Sequence, residues 1–312
     1  MKEIVSNAFL FAVILQTVPL LLAGLGGLFS QQASVLNIAL DGMMLMGAFV
    51  SIAVGAASHS AILAVLAAMG AGLVIALVFG WVSLFLGGDL VVVGIGIGTL
   101  TAGLTVLLLS TLYHSEGSYS PQNFPQLWKL HLGFASHIPI LGPALQSQSI
   151  LVLIALLLVP LAWWVLYHTQ YGLRVRAVGE EQSAAVAAGL NPRAIKMTTV
   201  MISGLLCGMA GAQLAMATLG QFVSNMTAGR GFIALAAIFV GRARPVGTLV
   251  GCLIFGFASA LANQLQLEHY SSDLMLMLPY AVTVIVLLGR PAVRLVRQRR
   301  RARGVALAVG TS

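Results

Sequence analysis

Few residues in this chain are of a type that does chemistry, and those few stand in unusual places. Asp41 lies inside an apolar run, where an acid is costly unless it faces a cavity, a partner or an interface. Two roles are open to it: bracing a re-entrant turn, or lining the path of a solute. Asn37 stands four residues earlier and shares a face with Asp41 if the helix covers both. Arg230 is a lone cation between Gly229 and Gly231 at the mouth of a short apolar stretch, placed to pair with Asp41 or another acid. Gln213, Asn225, Asn263 and Gln264 add neutral amides, which either hold an uncharged polar solute or join two membrane helices.

Catalysis is not indicated. His59, His114, His131, His137, His168 and His269 never fall at ligand-like spacing with acids or cysteines, and no serine has a matched acid and histidine nearby. Cys207 and Cys252 sit in apolar runs and read as small core residues. Gly94, Gly96 and Gly98 imitate a dinucleotide loop, but no strand precedes them, and small-residue packing between membrane helices explains them.

The elements that must position these residues follow from composition. The 312 residues are 59% hydrophobic and 8% charged, with mean hydropathy +0.99. Soluble domains carry about 25% charged residues, so the chain is an all-α polytopic membrane protein. A bilayer core needs roughly 20 apolar helical residues. Stretches 7–28, 37–57, 61–86, 90–112, 149–168, 197–220, 231–241, 246–265 and 274–289 qualify by composition, which predicts eight or nine spans. The 231–241 piece would rise only about 16 Å, so it requires a broken or re-entrant element. Residues 4–28 read as a first span and not as a cleaved leader.

Sixteen Lys and Arg oppose eight Asp and Glu. Basic residues concentrate in 169–196, at Arg242 and Arg244, and in a tail that begins at Arg290, and this predicts that these segments are cytoplasmic. The tail is explained by anchoring to anionic lipid, and no nucleic-acid partner is expected. The organisation predicted is one transmembrane domain over 1–289, with an external loop at 113–148, a cytoplasmic segment at 169–196 and a basic cytoplasmic tail at 290–312. The external loop alternates prolines with Tyr119, Phe124, Trp128 and Phe134, which suits a lid on the helix ends or a docking surface. Within 179–196 one short helix over 180–188 is predicted. Glu180 and Glu181 occupy its first turn, alanines form a smooth face, Gly189 caps it and Asn191-Pro192 stops it resuming. Arg174, Arg176 and Arg193 stand at its rim.

Ser183-Ala184-Ala185, three residues and then Gly189 resemble the EAA-x3-G coupling signature of ATP-binding-cassette importer permeases, with Ser183 where many members carry glutamate. Two further stretches agree: Gly26-Gly27-Leu28-Phe29-Ser30 through Asn37-Ile38-Ala39-Leu40-Asp41-Gly42-Met43-Met44, and Gly229-Arg230-Gly231-Phe232-Ile233-Ala234-Leu235-Ala236-Ala237. With the run 171–180, the resemblance covers about 20–290 and is to permeases for branched-chain amino acids, simple sugars and nucleosides, most like the nucleoside branch served by basic-membrane-protein-type lipoproteins. Asp41 stands where glutamate is more usual.

The resemblance implies a bacterial inner-membrane permease subunit, with a second homologous permease as a heterodimer partner, a cytoplasmic ATPase that holds ATP and Mg, and an external substrate-binding lipoprotein. This chain then binds no cofactor and is not itself an enzyme. The coupling residues implied are Arg174, Arg176, Glu180, Glu181, Ser183, Ala184, Ala185, Gly189 and Pro192. Asn37, Asp41, Gln213, Asn225, Arg230 and Asn263 are the pathway candidates. A permease for a sugar or branched-chain amino acid, or an ion-coupled transporter using Asp41, are the alternatives.

Overall fold

The computed structural model describes residues 7–115, 117–121, 125, 127, 148–267 and 281. Membrane-length helices form where the apolar runs were found: α1 (Asn7–Gln32), α2 (Leu40–Ser58), α3 (Ala61–Gly80), α4 (Leu90–Tyr113) and α5 (Ile150–His168). Two short helices follow, α6 (Gln170–Glu180) and α7 (Gln182–Ala187), then α8 (Pro192–Ala212), the short α9 (Arg230–Val240) and α10 (Pro245–Leu267). Helices α3 and α8 continue as π-helix over Trp81–Phe85 and Gln213–Leu219. Among the described residues, seven helices are long and apolar enough to cross a membrane, and α9 is a shorter apolar one. The predicted span 274–289 and the tail lie outside the described residues, as does most of the external loop.

Local chemistry sets the helix ends. The Asp89 carboxylate accepts from Val91 N (2.9 Å) and Val92 N (3.0 Å), satisfying first-turn donors of α4. Ser60, Thr169 and Asn191 cap α3, α6 and α8 in the same way. His59 and His114 end α2 and α4 in the left-handed conformation. A two-residue antiparallel pair, β1 (Ser118–Tyr119) with β2 (Phe222–Val223), joins the connection after α4 to the one after α8.

The chain divides into two compact units, Met1–Ala260 and Leu261–Ser312. In the first unit α1 and α8 are central, each with 72% of its span buried, whereas α4 has 22% and turns Val92, Leu100 and Leu112 outward. Close approach between α2, α3 and α8 depends on glycine. A Cβ on Gly47 would stand 2.7 Å from the Cα of Gly208, and one on Gly72 would stand 2.9 Å from the Gly208 nitrogen. With no hydrophobic drive between helices in lipid, such backbone contact is what holds them together. The predicted glycine packing around residue 96 is only partly realised. Gly94 lies against Ile38 and Gly98 against Gly42, while a Cβ on Gly96 would meet nothing within 4 Å among the described residues.

Contacts at the helix ends define the faces. Ser34 Oγ donates to the Gly179 carbonyl (2.7 Å) and Gln32 Nε2 to that of Ala243. The C-terminus of α1, the α6–α7 segment and the turn after α9 therefore share one face, and the N-terminus of α1 lies toward the other. Arg174, Arg176, Arg193, Lys196, Arg242 and Arg244 belong to the segments at this shared face.

Candidate functional site

Asp41 sits in the first turn of α2, and both its carboxylate oxygens are engaged. Oδ1 accepts from the backbone N–H of Gly231 (2.9 Å) and Oδ2 from the Thr227 hydroxyl (3.0 Å). Gly231 lies in the first turn of α9, whose N–H groups have no partner within their own helix. The acid of one helix thus closes the open end of another, where the helix dipole favours negative charge. Residue 231 must be glycine for this approach, since a Cβ there would stand 2.5 Å from the Asp41 Cα and 2.7 Å from its Cβ. Gly229 supplies the left-handed turn (φ +76°) that starts the helix.

Arg230 donates through Nη1 to the Met226 carbonyl (2.9 Å) and through Nη2 to Gln16 Oε1 on α1 (3.2 Å), and its charge acts on the Asp41 carboxylate. Three elements, α1, α2 and the 220–229 connection, are therefore tied to the N-terminus of α9. The predicted re-entrant element is this connection plus α9.

Asn37 does not share a helical face with Asp41, because α2 begins only at Leu40. Its Oδ1 instead accepts from Ala39 N (3.1 Å), while Nδ2 donates to Ser203 Oγ on α8 (2.9 Å). An amide that satisfies the backbone of a non-helical segment at this depth is a brace, as buried polar backbone requires. Gln213, fully buried, accepts from Ser149 Oγ (2.8 Å) and so joins α8 to α5. Asn225 is exposed and takes a left-handed φ of 55° in the 220–229 connection. Asn263 and Gln264 belong to the second unit.

The coupling segment is built differently from the prediction. Helix α6 runs on through Glu180, because Gly172, Val175 and Val178 bury one side of it and Gly179 meets the Gln32 carbonyl. Glu180 therefore ends a helix instead of starting one. Glu181 is extended (φ −148°) and caps α7, accepting from Ser183 N (3.3 Å) and Ser183 Oγ (2.6 Å). These hydrogen bonds hold its carboxyl below the ordinary glutamate range. Helix α7 is six residues long, shorter than predicted, and only Ala185 in it is buried. Ala184 is exposed, as are Val186 and Ala188.

Gly189 closes α7 as expected, at φ +80°, with Gly189 N donating to Val186 O (2.9 Å) and Leu190 N to Ala185 O (3.0 Å). Asn191-Pro192 does not stop the chain from being helical. Asn191 caps α8 and Pro192 occupies its first turn, where a missing N–H costs nothing. Lys196 Nζ donates to Gln182 Oε1 (2.7 Å), and the Tyr171 hydroxyl pairs with Thr198 (3.0 Å), so both short helices are fastened to α8. Burial pushes the Tyr171 phenol up.

With this geometry in place, comparison with known proteins is decisive. Residues 9–287 match the family model described as "Branched-chain amino acid transport system / permease component". The chain belongs to this permease family. The permease is 34% identical over 292 residues to the guanosine ABC transporter permease protein NupQ of Bacillus subtilis (strain 168), covering 89% of this chain and 90% of that one. It is 32% identical over 298 residues to the nucleoside ABC transporter permease protein NupC of Lactococcus lactis subsp. cremoris (strain MG1363), covering 92% of each. The putative glucose ABC transporter permease protein TsgC13 of Haloferax volcanii is 35% identical over 243 residues, 78% of this chain and 73% of its own. No solved structure matches.

Sequence reasoning about the permease missed Thr227, Gln16, Ser203 and Ser149, the partners of the predicted residues. A signal existed for Gln16, an amide in the middle of the long apolar span 7–28, and for Thr227, three residues before Arg230. Ser203 and Ser149 carried none, since small hydroxyls are common in membrane helices. A cavity of about 350 Å³ opens between α3, α5 and α8, lined by Ile62, Leu66, Met69, Ile150, Ile154 and Met209. Its wall is almost wholly apolar, so it offers a polar solute no hydrogen bonds. Among the described residues no group of His, Cys, Asp or Glu could hold a metal.

Proposed function

We propose that this permease is the translocation subunit of an ATP-driven importer that passes nucleosides across a bacterial inner membrane. The observation that carries the reading is the α7 hairpin. It is a short alanine helix with a glycine stop, exposed on nearly all sides, yet fastened to the start of α8 and continuous with α6, which is itself bonded to the segment after α1. A helix this short is not stable alone, and its small side chains allow close approach to a partner's groove. The partner in this reading is a separate ATPase that holds ATP and Mg, and the permease itself binds no cofactor.

Glu181, Ser183, Ala184, Ala185 and Gly189 form the docking hairpin, Pro192 starts the helix that follows it, and Arg174 and Arg193 flank it. The hairpin face is then cytoplasmic, which agrees with the basic residues gathered there, and the same rule puts the tail of arginines inside. A second permease of the same family and an external substrate-binding lipoprotein complete the assembly. Movement of α7 would pass through α8 to Asn37 and α2, and from Asp41 to α9, so that nucleotide-driven closure alternates access between faces.

The nucleoside assignment is supported by the two relatives named for guanosine and nucleosides, which match over nine tenths of the chain. Uptake of labelled guanosine, glucose and leucine into vesicles, with and without ATP and a co-expressed ATPase, tests it. ATP-dependent guanosine uptake is expected. Uptake by this chain alone, driven by an ion gradient, would overturn the importer reading, and preference for glucose would replace the solute.

A further inference from the structure

The elbow between α5 and α6 carries chemistry that the hairpin does not use. Helix α6 buries Gly172, Val175 and Val178 and leaves Leu173 61% exposed. The Arg176 guanidinium lies over the Tyr167 ring, 5.0 Å from its centroid. One turn earlier on α5, Trp163 stands 6.4 Å from Tyr167 and 4.4 Å from His168, and both Trp163 and Trp164 are about half exposed. Arg176 Nε makes no hydrogen bond, and among the described residues no carboxylate pairs with the guanidinium; Glu180, one turn on, is exposed and unpaired with it.

Helical geometry separates this surface from the hairpin. At 100° per residue, Arg176 stands about 60° from Leu173 and about 160° from Arg174. Arg176, over Tyr167, thus meets the end of α5, and the exposed Leu173 is its neighbour around the helix. A Trp and a Tyr at the end of a membrane span mark the headgroup level. There an exposed leucine belongs in the acyl boundary, and a cation without an acid beside it calls for a phosphate. Resting on an aromatic face, the guanidinium is held in place and is less hydrated than an ammonium would be.

We propose that this elbow binds the phosphodiester of an anionic phospholipid in the adjoining leaflet. Arg176 is the headgroup contact, Trp163 and Tyr167 are its aromatic wall, and Leu173 lies against the chain. Arg176 thereby leaves the coupling set and joins the membrane contact. Bound lipid would steady the junction from which α7 projects. Only the identity of the leaflet rests on the sidedness proposed above; the binding does not.

The test uses the full chain reconstituted in phosphatidylcholine or in an equal mixture with phosphatidylglycerol, then extracted in neutral detergent, with retained lipid measured by mass spectrometry. Wild type is expected to retain phosphatidylglycerol preferentially. Arg176→Gln should cut that retention about fivefold, the equivalent of about 1 kcal/mol per basic side chain at an anionic surface, and Arg176→Lys should restore part of it. Unchanged retention in Arg176→Gln overturns the site. If that variant does not fold, Trp163→Ala carries the test: lower retention supports the site and equal retention overturns it. Displacement of the lipid by inorganic phosphate would also overturn it, by showing a soluble-anion site. So would loss of ATPase co-purification with lipid retention intact, which would return Arg176 to the hairpin.

Discussion

The Asp41 clamp and the α7 hairpin are both short polar devices at helix ends, but they are held together by different physics. In the clamp a partly buried acid meets the donors of Gly231 and Thr227, and Arg230 supplies the positive charge beside it. Thr227 and Gly231 are both buried, so removing the acid strands their donors. The hairpin lies open, and its shape comes from its caps: Glu181 at one end and the left-handed Gly189 at the other. Its loss would leave the membrane domain standing. Changes to the first device should therefore unfold the permease, and changes to the second should silence it without unfolding.

The sharpest way to break this contrast is Asp41→Ala, which leaves the Gly231 N–H and the Thr227 hydroxyl unpaired. A loss of about 3 kcal/mol is expected, read as a large drop in thermal stability in detergent together with loss of uptake. Asp41→Asn keeps the shape and removes the charge, and should fall between this variant and wild type. Undiminished stability and uptake in Asp41→Ala would show that the clamp does not hold α9.

Next comes Gly47→Val at the crossing of α2 and α8. Overpacking should cost about 2 kcal/mol, with a matching fall in melting temperature. A neutral outcome would mean that the helices part more easily than the contact with Gly208 implies.

On the hairpin side, Ala184→Trp should abolish ATP-dependent uptake with no shift in melting temperature. If ATPase association and uptake both persist, α7 is not the docking element. The smallest effect concerns pH. Because the Glu181 carboxyl is held below its ordinary value of 4.5, its cap is fully present above that pH and is lost as pH falls through the lowered value. Hydrogen exchange at the Ser183 amide should accelerate only on that acid side, and Glu181→Gln should flatten the dependence.

Much of the fold was legible because lipid imposes a simple rule on composition, and the apolar runs reproduce α1 to α5, α8 and α10 to within a few residues at most ends. The start of α8 is the largest shift: the apolar run begins near 197, whereas the helix begins at Pro192, because a first turn that projects past the apolar span can be polar. Gly189 was legible for a local reason, since a glycine after a run of helix formers is a stop. The division between α6 and α7 was not. Glu180 and Glu181 look alike in sequence, and only the packing of Gly179 on Gln32 assigns one to a helix end and the other to a cap.

The polar residues show the same limit. Asp41, Arg230 and Gln213 stand out against apolar neighbours, because an ionisable or amide group in a span needs a reason to be there. Which reason applied was undecided in one dimension. Asn37 looked like a partner for Asp41 four residues away, yet its partner is Ser203, 166 positions later. The sequence by itself determined that this is a membrane-spanning helical chain, where most of its described spans lie and that Asp41, Arg230 and Gln213 need partners, since burying or exposing each residue type has a free energy that hardly depends on the fold. Only the tertiary structure decided the pairings, because a hydrogen bond needs two groups within about 3 Å, and helices brought together through glycine contacts set those distances.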